Sequence, residues 1–216
     1  MNWRNDSGFT LTEVLVVSVM MVFVLSLAWG LMYATSSMGN SLSAGAVATD
    51  ESQVFLDNIG HELREADNLK SLAGTSTSNA DAQGAFSEIL PRETTFYVDL
   101  YHLGGGHANK VQYYMSGSSL MRKEWAATNT AYPYTWSASP TKTSVVVQTV
   151  DPAWSGPIFT YYTDDTYPPT QITSASQVAS VTAVTVQVQD LQTWGGKTQS
   201  YGATMTVRVR SIDNKF

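Results

Sequence analysis

The stretch that decides the fold is FTLTEVLVVSVMMVFVLSLAWGLMY, residues 9–33. From position 14 onward it carries no charged side chain, and only Ser18, Ser26 and Gly30 interrupt the apolar run. Because a helix rises about 1.5 Å per residue, this run reaches roughly 30 Å, the thickness of a bilayer's hydrocarbon core. The stretch therefore predicts one membrane-spanning helix.

Glu13 is the one charged residue between Phe9 and Thr49. A carboxylate one turn inside an apolar run is costly in hydrocarbon, so it is expected either to be paired in an assembly or to lie at the headgroup edge. A plain alternative is a glutamate at a helix start, where the helix dipole favours negative charge. Position alone leaves both interpretations open.

The eight residues before this stretch, MNWRNDSG, are short and polar, carry Arg4 and end in Gly8. With the glycine, an apolar next residue, the glutamate and the long apolar run all in register, the N-terminus closely resembles the type IV prepilin signal. That resemblance implies a leader of residues 1–8 and cleavage between Gly8 and Phe9 by a prepilin peptidase, which also methylates the new N-terminus at Phe9. Glu13 becomes the fifth residue of the mature chain, with a role in filament assembly.

A secretory signal peptide is the competing interpretation, because Ala46-Val47-Ala48 offers a small-residue cleavage site. The apolar stretch is longer than the roughly 7–15 residues of such a signal, and it ends well before that site. Arg4 is the only basic residue before Arg64, which places the N-terminus in the cytoplasm. We therefore expect a single-pass protein of the cytoplasmic (inner) membrane with a periplasmic or extracellular head.

Beyond the span, a second helical half is expected over residues 35–70, after a filament-core segment over residues 9–34. Residues 36–45 are rich in Ser and Gly, so a bend or local unwinding is expected there. Further on, apolar residues fall on one face of a helix at Phe55, Ile59, Leu63 and Ala66. This half is predicted to be amphipathic and to bury one face on a sheet.

Short β signals follow, and a β-rich head is predicted over residues 71–216. KVQYYMS and SLMRKEW flank Gly117 as a hairpin, and SVVVQTV and PIFTYYT follow as strands. VTVQVQ and MTVRVR alternate apolar and polar residues and are expected to pair in antiparallel fashion. The predicted fold class is α+β: a long N-terminal helix packed on an antiparallel sheet, in one layer or split into two, as in pilins.

The order of these pieces resembles the J-type minor pseudopilins of type II secretion and the W-type minor pilins of type IV pili. The resemblance implies a structural subunit that primes or joins a filament. Its partners would be a prepilin peptidase and methylase, other major and minor pilins, and an inner-membrane assembly platform. Type II secretion, a type IV pilus and a DNA-uptake pilus are all compatible with the sequence. A membrane-anchored surface binding protein would share the span without needing Gly8 or Glu13, and a secreted adhesin would lose the helix.

Composition and motifs argue against other function classes. The net charge is −6 and the basic residues are scattered singly, so the sequence indicates no positively charged surface that could bind a phosphate backbone. Direct nucleic-acid binding is therefore not expected. There is no cysteine, and no nucleophile motif stands out, so neither an enzyme nor a cofactor is expected. His102 and His107 flank a triglycine without a matched third ligand, and we expect no metal site there. Five aromatic residues are candidates for an exposed partner contact: Trp125, Tyr132, Tyr134, Trp136 and Trp154.

Overall fold

The computed structural model describes residues 10–67, 84–100, 107–163, 169–194 and 197–209, with the backbone alone given at Trp194 and Lys197. By its internal contacts the chain separates into two compact units, Met1–Ala44 and Gly45–Phe216. The predicted leader boundary at residue 8 and the predicted head start at residue 71 lie outside the described residues. The predicted division between residues 34 and 35 stays a prediction.

A single α-helix, α1 (Leu11–Glu65), runs through the predicted filament-core segment and most of the second half predicted over residues 35–70, and it ends at Glu65, since Ala66 and Asp67 are not helical. Residues 36–45 are helical throughout, so the local unwinding expected from their Ser and Gly content is wrong. Helix propagation is cooperative, and a few weak formers between stronger segments do not interrupt it. No proline precedes Pro91, so no residue of α1 lacks a backbone N–H.

The apolar stripe predicted on the second half of the helix is confirmed. Phe55, Ile59, Leu63 and Ala66 are all buried, with at most 2% of their surface exposed. Ala66, just past the helix end, forms an isolated antiparallel bridge with Val98. The stripe therefore holds this half of α1 against the β-rich part of the same compact unit.

Five antiparallel strands form the first sheet in sequence order. They are β1 (Phe86–Leu90), β2 (Glu93–Val98), β3 (Asn109–Ser116), β4 (Ser119–Ala126) and β5 (Lys142–Val147). The predicted hairpin around Gly117 is confirmed as β3 and β4, and its turn places Gly117 at a φ of 63°. A positive φ suits glycine because it has no Cβ to clash with the backbone.

Four strands form the second sheet, in the order β7-β6-β8-β9. They are β6 (Phe159–Tyr162), β7 (Gln171–Ile172), β8 (Ala183–Trp194) and β9 (Lys197–Arg208), with a short 3₁₀ helix, Ala175–Ser180, before β8. The predicted antiparallel pairing of the last two strands is confirmed. Val184, Val186 and Val188 are fully buried, as their alternation indicated.

The two sheets and the helix share one hydrophobic core. Ile158 and Phe159 both donate backbone hydrogen bonds to the carbonyl of Pro91, at 2.7 and 3.0 Å, which ties the start of β6 to the β1–β2 turn. On the helix side, a Cβ added at Gly60 would lie 2.4 Å from Cε of Met205, so α1 and β9 approach closely there. The observed fold is thus α+β, a long helix on two antiparallel sheets, which confirms the predicted pilin-like layout.

Candidate filament-assembly site

Glu13 and Thr10 form a reciprocal cap at the start of α1. The backbone N–H of Thr10 donates to Oε2 of Glu13 at 3.0 Å, and the backbone N–H of Glu13 donates to Oγ1 of Thr10 at 3.3 Å. The Thr10 hydroxyl also donates to Oε2 at 3.0 Å, and the Thr10 carbonyl accepts the first helical hydrogen bond from Val14 at 3.2 Å. This is a capping box, in which two N–H groups that the helix leaves unpaired are satisfied by each other's side chains.

The cap was visible in the sequence as Thr-Leu-Thr-Glu, the S/T-x-x-E pattern that precedes an apolar run, but sequence reasoning missed it. It supports the plain interpretation of Glu13 as a helix-start residue. The capping box uses only one oxygen of the Glu13 carboxylate: both hydrogen bonds from Thr10 go to Oε2, and among the described residues Oε1 has no hydrogen-bond partner. One oxygen therefore caps the helix while the other remains open to a second group.

The helix after this cap exposes its apolar side chains. Leu11, Phe23, Trp29 and Tyr33 are between 67 and 83% exposed, and the other large apolar residues between them are at least half exposed. The few hydroxyls in this segment bond to their own helix: Ser18 and Ser26 each donate to the carbonyl four residues earlier, at 2.8 Å. Such a surface needs lipid or other apolar helices around it.

By length and composition α1 is able to cross a membrane, and it lies near the N-terminus. No backbone polar group inside a helix is left for lipid to satisfy, which is why helices can span bilayers. The apolar N-terminal helix thus fits a single-pass, membrane-anchored pilin. Gly8 and Phe9, the predicted cleavage site, lie outside the described residues, and their roles stay predictions.

A largely buried ionic cluster, which sequence reasoning missed, joins α1 to the first sheet. The Arg122 guanidinium contacts Oε1 of Glu62 through Nη2 at 2.7 Å and Nε at 3.0 Å, and contacts Oε2 of Glu124 through Nη1 at 2.9 Å. The Tyr113 hydroxyl donates to Glu62 at 2.7 Å, and the Asn109 amide donates to Glu124 at 3.3 Å. The side chains of Arg122, Glu62 and Glu124 are only 11, 12 and 6% exposed.

The electrostatics of this cluster suit a structural role. Burial alone lowers the pKa of Arg122, but the adjoining Glu62 carboxylate outweighs burial and holds the pKa of the guanidinium above its usual value. Burial, and then the negative charge of Glu62, raise the pKa of Tyr113 well above its usual value. Arg122 therefore stays charged and Tyr113 stays neutral at any physiological pH. Glu62 lies off the apolar stripe of α1 and is the helix's polar anchor to the sheet.

The remaining sequence candidates that the structure describes are not brought together into a further site. Among the described residues, no group of three or more His, Asp or Glu side chains is placed to hold a metal ion. His102 lies outside the described residues, so the histidine pair with His107 stays untested. The expectation of an exposed aromatic set is wrong: Trp125 and Tyr134 are buried, and Tyr132, Trp136 and Trp154 are partly buried. Trp136 contacts both Tyr97 and Tyr134, Lys110 lies over Trp125, and Arg92 lies over Trp154.

Comparison with known protein families supports the predicted prepilin leader. Residues 3–29 match the family model for the prokaryotic N-terminal methylation motif, which spans the predicted cleavage site and Glu13. No curated protein sequence matches the chain. The chain carries the leader of the type IV pilins and pseudopilins, and this motif supports a protein of that class. Such a leader implies a prepilin peptidase substrate and a subunit of pilin assembly.

Proposed function

We propose that this protein is a minor pilin or pseudopilin, a non-enzymatic structural subunit that primes or joins a filament after its leader is removed. The observation that carries the proposal is the methylation motif at residues 3–29, in register with an exposed apolar helix that has Glu13 in its first turn. Cleavage after Gly8 creates an amine at Phe9. The N-terminus lies in the cytoplasm and the β-rich head outside the inner membrane.

The proposed step is a pairing between that amine and the Glu13 carboxylate of a neighbouring subunit. In a dry bundle of apolar helices either charge alone is costly, whereas the pair is tolerated and selects one axial register between subunits. The open Oε1 of Glu13 gives the amine an oxygen to bind while Oε2 keeps the helix cap. Apolar helix packing replaces lipid contacts at little net hydrophobic cost, so extraction from the bilayer is feasible.

Two substitutions separate the two roles of Glu13. Glu13→Gln keeps a side chain that can serve a capping box but removes the charge, whereas Glu13→Val removes both. If the charge pairs with a neighbour, both variants leave the neighbour's amine uncompensated, a loss of roughly 3–5 kcal/mol at that contact. Both should be inserted and cleaved normally, and both should lose co-purification with sibling pilins and filament output.

Thr10→Val is the matched control, because it removes the cap hydroxyl and leaves the carboxylate. It should weaken the helix start by about 1 kcal/mol and retain assembly. Glu13→Gln subunits that are cleaved and assemble at wild-type levels would reduce Glu13 to a helix cap. A membrane-anchored surface protein would be the better account if Glu13→Val subunits also behaved as wild type.

A further inference from the structure

The first sheet carries a groove on the face that points away from α1. Strands alternate their side chains between the two faces, so Phe96 and Val111 lie in the core while their neighbours Tyr97 and Lys110 lie on the opposite face. The cavity has a volume of about 530 Å³, within the range of small-molecule sites. Val178 of the 3₁₀ helix contributes to its lining.

Two rows of side chains cross the floor of this groove in register. Tyr97, Lys110 and Trp125 are direct partners across β2, β3 and β4. In the next row, Glu88, Thr95 and Gln112 are partners across β1, β2 and β3. With strands about 4.8 Å apart, each row extends about 10 Å. An aromatic row and a hydrogen-bonding row thus run side by side.

The segment after β4 holds a third aromatic side chain in place. Asn129 donates to the carbonyls of Ala131 and Pro133 at 2.7 and 2.9 Å and accepts from the backbone N–H of Thr135 at 2.8 Å. Trp136 then stacks on Tyr97, with ring centroids 5.9 Å apart and planes 16° apart. Because these contacts already hold the Trp136 side chain in place, it loses little conformational entropy when a ligand binds.

The polar groups in the groove retain unused hydrogen-bonding capacity. The Lys110 ammonium lies 4.4 Å from the centroid of the Trp125 ring, and among the described residues it has no carboxylate partner. The Gln112 amide donates to Glu93 at 2.6 Å, which leaves its carbonyl oxygen without a described partner. Within the described part of the chain, the Glu88 carboxylate receives only a long hydrogen bond from Thr95, at 3.4 Å. Donors and acceptors therefore alternate beside the aromatic rings.

This combination selects a ligand with apolar faces and many hydroxyl groups. A purely apolar peptide would bury Gln112, Glu88 and Lys110 without partners, which costs free energy at each group. A phosphorylated ligand would meet the Glu88 carboxylate with only Lys110 to balance it. The faces of sugar rings suit aromatic side chains, and their hydroxyls both donate and accept hydrogen bonds.

We propose that this groove is a saccharide-binding site that accommodates a short, linear, neutral oligosaccharide, with Trp136 and Tyr97 contacting the ring faces and Gln112, Glu88 and Lys110 binding hydroxyls. The site belongs to the head alone, so the proposal does not depend on filament assembly. It adds surface recognition to the structural role.

The test is a titration of the full-length protein with maltotriose, cellotriose and N,N′,N″-triacetylchitotriose, followed by tryptophan fluorescence and isothermal calorimetry. The protein is held in lauryldimethylamine oxide, because detergents with maltoside headgroups carry the ligand chemistry themselves. We expect at least one trisaccharide to bind in the millimolar range or tighter. Trp136→Ala and Gln112→Ala should each weaken that affinity by about tenfold.

Trp154→Phe is the control, because Trp154 lies outside the groove, beside Arg92. It should leave the affinity unchanged, and circular dichroism should show that all three variants remain folded. No response to any of the three sugars up to about 10 mM, where even weak recognition is measurable, would overturn the proposal. Binding that survives in both Trp136→Ala and Gln112→Ala would also overturn it, since the sugar would then occupy another surface.

Discussion

Arg122→Met should strongly destabilise the head, because it leaves the buried Glu124 carboxylate and the largely buried Glu62 carboxylate without their shared cation. The substitution keeps an apolar stem of similar length and removes contacts of 2.7, 3.0 and 2.9 Å to Glu62 and Glu124. Breaking a buried ion pair from one side costs about 3–5 kcal/mol. Glu62 keeps the Tyr113 hydroxyl and Glu124 keeps the Asn109 amide, so we expect about 3 kcal/mol, the lower end of that range.

Urea unfolding of the fragment Gly45–Phe216, monitored by circular dichroism, measures this loss. Glu62→Gln and the double variant complete a cycle that isolates the pair, and a coupling free energy of about 1–3 kcal/mol is expected between Arg122 and Glu62. A loss below about 1 kcal/mol for Arg122→Met would place the cluster with ordinary surface ion pairs and refute the reasoning. The slope of the unfolding free energy against urea concentration should be the same in all variants, which indicates that the loss reflects native-state stability rather than a change in the unfolded chain.

The remaining predictions concern the same fragment. Gly45–Phe216 should be soluble and β-rich with one cooperative transition, since it contains the buried stripe of α1 and both sheets; a fragment that stays unfolded would show that the first unit is required. The contribution of Tyr113 and Tyr161 to its stability should be constant below about pH 10 and fall above it, because the folded state disfavours ionisation of these two tyrosines, whose pKa values burial raises. The expected slope is up to about 1.4 kcal/mol per pH unit for each tyrosine, and Tyr113→Phe should reduce it; equal slopes in the two proteins would contradict this assignment.

Local periodicity explains which elements could be predicted from the sequence. The apolar spacing of Phe55, Ile59 and Leu63 has the helical period, and the alternation at Val184 and Val186 has the strand period. Both periods are visible in residues that are close together in the sequence, so the burial of these residues could be predicted directly. The unwinding expected over residues 36–45 was wrong because helix continuity is cooperative and not decided residue by residue.

Contacts between distant segments explain what could not be predicted. Glu62 and Arg122 are 60 residues apart, and no local pattern relates them. On β4, Glu124 and Trp125 point to opposite faces and are both buried, because Glu124 binds Arg122 on the face that meets α1 and Trp125 lies under Lys110 at the groove that Trp136 also lines. A strand covered on both sides loses the inside-outside alternation, so the aromatic residues could not be assigned to surface or interior. The division of the strands between two sheets likewise depends on long-range pairing.

The most direct test of the central claim is the intact mass and N-terminal sequence of the protein isolated from its native membrane. The account predicts a chain that begins at Phe9 and carries one additional methyl group on its amine, because residues 3–29 match a methylation motif and Gly8 is the predicted cleavage position. Gly8→Ala, which alters the cleavage position itself, should leave the leader attached. A wild-type chain that begins at Met1, or at Thr49 after a secretory-type cleavage, would contradict the assignment to the pilin class.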